Sequence, residues 1–244
     1  MERIRLCGVE IDNVTGREAV RRALRRGEEP NVVFTPNAVM LEACRRDASL
    51  AALLNRASLS LADGMGVVRA AKRCGTPLCE RVAGIDFAEA VLARASKENL
   101  RVFLLGGEAG VAESAAMRLR ERYPALCVCG THWGYFDREG EENRRLLAHI
   151  RQTRADILFV CLGFPLQERW ICENLAHLSF LCLIAGLGGS LDVWAGKSKR
   201  APRALSRAGL EWAWRMVREP RRLCHLGALV RFSLLGRRQI AGRG

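Results

Sequence analysis

The 244-residue chain has no CxxC pair, no apolar run of membrane-spanning length, no internal repeat and no low-complexity linker. Without a CxxC pair a zinc or redox site has no anchor. The ten cysteines are scattered, mostly among apolar neighbours, and read as reduced core residues. Cys127-Val128-Cys129 alternates as a strand does, placing both thiols on one sheet face. The longest stretch free of histidine and charge, Leu178–Leu191, has 14 residues and three glycines. A spanning helix needs about 20 apolar residues, so any membrane contact is expected to be peripheral. Met1–Arg5 offers no apolar core for an export signal, and the alternation running on to Ile11 suggests a strand pair. Cytosol is the expected compartment.

What is present is a hydrophobic fraction of 49%, enough for one packed α/β domain, and a net charge of +13. The charge is unevenly placed. Residues 197–244 carry 13 Lys/Arg against Glu211 and Glu219, a balance of +11, which leaves +2 for residues 1–196. Composition shifts near Ala195-Gly196-Lys197, so a core of residues 1–196 and a basic helical appendage of residues 197–244 are expected. Such a tail suits nucleic acid, acidic lipid headgroups or diphosphates, and charge alone does not choose among them.

Apolar runs that suit buried parallel strands recur at Asn31–Phe34, Ser58–Ala62, Arg101–Leu105, Leu126–Cys129, Ile157–Leu162 and Phe180–Ala185. Between them Asn37–Arg46, Gly66–Arg73, Ile85–Glu98, Val111–Arg122, Glu141–Thr153 and Leu166–Leu175 carry helical apolar spacing. This alternation predicts a doubly wound, mostly parallel, Rossmann-like α/β sheet. Beyond residue 196, Ala204–Val217 and Pro220–Leu235 predict two helices with Trp212, Trp214, Leu223, Leu226, Val230 and Phe232 as apolar anchors.

In a doubly wound sheet ligands collect at the carboxyl ends of the strands, and the polar candidates fall there. Asp63-Gly64 follows a buried strand, which can aim a carboxylate into a cleft or simply form a turn. Thr35-Pro36-Asn37 shares that rim. Gln167 could donate to a sugar hydroxyl or a phosphate oxygen, or be an ordinary first-turn residue. Gly106-Gly107 could cradle phosphate but does not form GxGxxG or GxxxxGK[ST], so tight strand-helix packing is an equal reading. Thr131–Phe136 suits stacking on a base or plugging the core. Arg81 could reach a ligand or be neutralised by Glu80. Arg215, Arg218 and Arg222 would share one face of a straight helix, able to grip a diphosphate, although Pro220 interrupts that helix. There is no Asp-x-Asp motif for holding a divalent ion on a nucleotide diphosphate. Arginines and backbone N–H groups are left to stabilise a departing anion.

Thr35-Pro36-Asn37, Ala62-Asp63-Gly64, Glu80–Asp86, Gly163–Glu168, Ala201-Pro202 and Gly209–Trp212 through Glu219-Pro220 occur in this order. Together they resemble the WecG/TagA/CpsF family, glycosyltransferase family 26, over nearly the whole chain. The resemblance implies an inverting, metal-independent transfer, with no cofactor, from UDP-N-acetylmannosamine to undecaprenyl-diphosphate-N-acetylglucosamine, as in teichoic acid linkage synthesis. The uronic acid of that donor sugar, or glucose, is the alternative. By the same likeness Asp63 is the general base, Thr35, Asn37 and Gln167 orient substrate, Arg81 is a donor-side contact, and Arg215 and Arg222 bind diphosphate. His225 stands where relatives carry a further Arg. The appendage is implied to close the pocket and dock on an anionic membrane surface at the inner face of the cell membrane, with a homo-oligomer as another way to bury it. A nucleic-acid-binding protein and a nucleotide-dependent oxidoreductase fit less well: no nucleic-acid motif occurs, and the glycine fingerprint is poor.

Overall fold

The computed structural model describes residues 2–202, 205, 211–218, 223–224, 226–236 and 240. The chain opens with an antiparallel hairpin, β1 (Arg3–Leu6) and β2 (Val9–Asp12), paired Ile4↔Ile11 and Leu6↔Val9. Cys7 and Gly8 both take positive φ (51° and 82°), the two-residue turn whose twist matches its strands. Six parallel strands follow, β3 (Asn31–Phe34), β4 (Leu59–Ser60), β5 (Arg101–Gly106), β6 (Cys127–His132), β7 (Ile157–Cys161) and β8 (Leu183–Gly186). Their spatial order is β4-β3-β8-β7-β5-β6. The helices are α1 (Gly16–Ala23), α2 (Ala38–Arg46), α3 (Ala48–Leu54), α4 (Met65–Arg73), α5 (Gly84–Glu98), α6 (Val111–Arg122), α7 (Glu141–Gln152), α8 (Leu166–Asn174), α9 (Ser190–Trp194), α10 (Glu211–Arg218) and α11 (Leu226–Leu234). The fold is a doubly wound α/β sheet.

Period-two alternation in the strands explains the double winding. Val32, Phe34, Phe103, Leu105, Leu158, Val160 and Ile184 face one core, with α2, α3, α4, α7, α8 and α11. Val33, Val102, Leu104, Ile157, Phe159, Leu183 and Ala185 face the other, with α1, α5, α6 and α9. Adjacent strands β3 and β8 are followed by helices on opposite faces, α2 and α9. That divergence opens a crevice at their carboxyl ends.

Three expectations need correction. The strand expected over Ser58–Ala62 pairs only at Leu59 and Ser60, on β3 alone. At an edge, no second neighbour extends the ladder. Only Cys7, Cys44, Cys161, Cys172 and Cys182 are buried, while Cys79 and Cys224 are exposed; none of the ten is in a disulfide. Burial pushes the Cys7 thiol up to about 11 and those of Cys44 and Cys161 to about 12, which keeps them protonated and unreactive. Finally, of the expected appendage anchors, Phe232 is buried but Trp212, Leu223, Leu226 and Val230 are exposed. Met216, Leu235 and Ile240 are buried instead. An element laid across a cavity turns part of its apolar face to that cavity rather than to a packed core.

Candidate active site

A cavity of about 750 Å³ lies between α2 and α4 on one side and α10 and α11 on the other. Asn37, Asp63 and Arg81 line it together. Asn37 comes from the β3–β4 connection and Asp63 and Arg81 from either side of α4 in the β4–β5 connection, brought to one place by the parallel order of the sheet. Asp63 sits just beyond β4, its N–H donating to the Pro36 carbonyl (3.1 Å), so the β3 and β4 loops are tied side by side. Gly64 then takes φ 94° and ψ 150° with open space where a Cβ would stand. Conformation, not crowding, demands glycine at the entry to α4.

Asn37 caps α2: its Oδ1 accepts from the N–H groups of Val39 (3.0 Å) and Met40 (3.2 Å). The cap fixes the side chain and leaves its amide NH₂ for the cavity. Arg81 is three-quarters or more buried and pairs with Asp86 Oδ2 at 3.6 Å, while Asp86 Oδ1 is held by Arg200. Glu80, the neighbour that could have neutralised Arg81, instead accepts the Gly16 N–H (2.8 Å). Asp86 thereby joins a cavity arginine to Arg200, a link that sequence spacing did not indicate.

Thr35 and Gln167 are not among the residues lining that cavity. Both are buried beneath its loops. The Thr35 hydroxyl donates to the Gly186 carbonyl (3.3 Å), and Gln167 Oε1 accepts the Gly188 N–H (2.9 Å). A backbone N–H can only donate, so Gln167 Nε2 must face Glu168 Oε1, at 2.8 Å. The two side chains fix the β8 loop. Glu168 has no exposed surface, and burial raises its carboxyl from 4.5 to about 7. A buried carboxyl next to a polar rim is a signal that sequence patterning missed.

The remaining candidates divide. Gly106 belongs to packing, since a Cβ there would stand 2.3 Å from the Cys161 carbonyl oxygen of β7. In Thr131–Phe136, Phe136 is core and meets Trp170 edge-on, whereas Trp133 and Tyr135 stand exposed as a tilted pair 6.3 Å apart. Arg215 lies in α10, but its side chain, and all of Arg222 and His225, fall outside the described residues. The expected alignment of Arg215, Arg218 and Arg222 therefore lies outside the described residues.

The family model "Glycosyl transferase WecG/TagA/CpsF family" matches residues 4–243. The chain belongs to the WecG/TagA/CpsF glycosyltransferase family. It is also similar to the N-acetylglucosaminyldiphosphoundecaprenol N-acetyl-beta-D-mannosaminyltransferases of Staphylococcus aureus strains MW2 and NCTC 8325 / PS 47. Each is 32% identical over 234 residues, spanning 94% of this chain and 90% of the relative. The WecG/TagA/CpsF likeness therefore covers both the sheet and the residues that follow it. Among the described residues no helix is long and apolar enough to cross a membrane.

Proposed function

We propose that the protein transfers N-acetylmannosamine from its UDP donor to the N-acetylglucosamine of undecaprenyl-diphosphate-N-acetylglucosamine, with inversion. The observation that carries this reading is the convergence of Asp63, Asn37 and Arg81 in one cavity roofed by the appendage, in a chain whose relatives are named for that reaction. Asp63, the one acidic residue among the described residues lining the cavity, takes the proton from the acceptor's 4-hydroxyl as that oxygen attacks the anomeric carbon. The bond to UDP breaks on the opposite face, so an α-linked donor gives a β product. Arg81, with Arg215 and Arg222, holds the departing diphosphate without a metal ion. Asn37 contacts substrate directly. Thr35 and Gln167 orient it through the β8 loop, and Trp133 with Tyr135 offers a face to a nucleobase.

The division into a catalytic core, residues 1–196, and an appendage, residues 197–244, is part of this proposal. So is a peripheral location at the inner face of the cell membrane. Trp212, Val217, Leu223, Leu226, Val230 and Leu234 are exposed on a segment rich in Lys and Arg, a combination that partitions to anionic interfaces. The test is a panel of UDP-sugars offered with a prenyl-diphosphate-N-acetylglucosamine acceptor. Transfer from UDP-N-acetylmannosamine is expected to exceed that from UDP-glucose and from the uronic acid donor. A reversed preference would reassign the donor, and no transfer from any of them would end the proposal.

A further inference from the structure

The cavity that holds Asp63 has two chemically different walls. α4 contributes Arg69, Lys72 and Arg73, whose i, i+3, i+4 spacing puts them on one helical face. Opposite them stand Trp212 and Met216 of α10 and Leu226, Leu229 and Val230 of α11. Arg73 bridges the two, its guanidinium donating to the Ser233 carbonyl at 2.7 Å. We propose that the basic row of α4 is the subsite for the diphosphate of the lipid-linked acceptor, separate from the arginines that hold the nucleotide diphosphate of the donor. This rests on the function proposed above and assigns three residues that neither the motifs nor the family resemblance singled out.

Charge gives the first reason. Among the described residues lining the cavity there are four cations, Arg69, Lys72, Arg73 and Arg81, and one carboxylate, Asp63, while Asp86, outside the lining, pairs with Arg81. That excess suits more than one anionic group. The identity of the opposite wall gives the second. A nucleotide diphosphate continues into ribose and base, which need polar partners, whereas a prenyl diphosphate continues into hydrocarbon. A cationic row facing Trp, Met, Leu and Val matches an anion joined to an apolar chain and leaves a nucleotide's hydroxyls unsatisfied. Reach is the third. α4 begins two residues after Asp63, and at 1.5 Å per residue Arg69, Lys72 and Arg73 lie roughly 6, 10 and 12 Å beyond its first residue. An acceptor sugar with its hydroxyl at Asp63 places its anomeric phosphates one ring away, beside the middle and end of that helix.

The experiment uses the full chain and four variants, Arg69→Ala, Lys72→Ala, the pair combined and Arg69→Lys. Arg73 is left in place because its bond to Ser233 also holds α11. Three quantities are measured: the KM for a short-chain prenyl-diphosphate-N-acetylglucosamine, the KM for UDP-N-acetylmannosamine, and affinity for phosphatidylglycerol vesicles. The double variant is expected to raise the acceptor KM roughly ten- to hundredfold, the loss of two charge-assisted contacts. Its donor KM and vesicle affinity are expected to stay within about twofold. Arg69→Lys should recover most of the loss, and an acceptor whose sugar is joined to the same prenyl chain without phosphates should not distinguish variant from wild type. An equal rise in donor KM would move the row to the nucleotide. Lost vesicle binding with an unchanged acceptor KM would make it a headgroup contact. Either overturns the inference while leaving the transfer reaction standing, whereas a wild type that transfers to no prenyl-diphosphate acceptor fails at the earlier step.

Discussion

Asp63 lines the cavity at the end of a buried strand, and the Gly64 conformation turns the chain away immediately afterwards. Asp63→Asn keeps the shape and removes the carboxylate proposed as the base, so it is expected to fold normally and to lose about 10²- to 10⁴-fold in kcat. Turnover measured with saturating donor and acceptor checks this, and an intact rate would take the base role from Asp63. Glu168 poses a different problem at the same scale. Its Oε2 is buried with no hydrogen-bond partner among the described residues. Its carboxyl ordinarily ionises near 4.5 but near 7 in the fold. Between those values the folded chain keeps a proton that the unfolded chain releases. Stability is therefore full below about pH 4.5 and falls as pH rises through about 7. Glu168→Gln keeps an acceptor for Gln167 and cannot ionise, so it should flatten this slope and exceed wild type at pH 8 by roughly 3 kcal/mol. Urea unfolding at pH 5 and pH 8 is the measurement, and parallel losses in both proteins would contradict it. Asp63 and Asn37 were legible in sequence because each follows a strand, and Arg81 because it lies in the Glu80–Asp86 motif that carries the family resemblance. The Gln167–Glu168 pairing was not, since it depends on which way one amide faces a loop 21 residues away.

At the scale of elements, α11 is held on α2 by more than apolar contact. Glu42 is buried on α2; Arg45 donates to both of its oxygens (2.9 and 3.1 Å), and Arg231 of α11 donates to Oε1 at 3.3 Å. Arg45 first, and Arg231 with it, hold the Glu42 carboxyl below its usual range. Glu42→Gln removes the charge that anchors Arg231. Amide exchange over Leu226–Leu234 should quicken by roughly tenfold while β7 is unchanged; equal exchange in both proteins would make the contact incidental. α2, α5, α6, α7 and α8 were readable from their apolar spacing. α3 and α9 were not, because seven and five residues are too few turns for a 3.6-residue period to declare itself. α1 was missed for another reason: only Ala19, Val20 and Ala23 are buried in it, a stripe of small residues among arginines.

For the whole molecule, the question is whether residues after Gly196 are a removable tail or part of the core. The +11 of that segment and its two helical patterns could be read from sequence, but its exposed and buried sides could not, because both are apolar. Phe232, Leu235 and Ile240 pack in the same cluster as Val32, Phe34 and Leu41, and the Cys7 N–H donates to the Ile240 carbonyl at 2.7 Å. Truncation after Gly196 strips that face as well as the cavity roof. It is expected to abolish transfer and vesicle binding, and also to lower Tm, so activity loss alone cannot separate closure from folding. Val217 and Leu234, 79% and 77% exposed and outside the cavity lining, make that separation. Replacing both with Glu removes apolar area and adds repulsion from an anionic surface, with little effect on a fold they barely touch. The double variant should keep wild-type Tm and transfer to a short-chain acceptor in solution, yet lose binding to phosphatidylglycerol vesicles by an order of magnitude or more, about 1 kcal/mol per added or lost interaction. If it binds vesicles as wild type does, the exposed side chains of α10 and α11 are not the membrane contact, and the appendage serves the cavity alone.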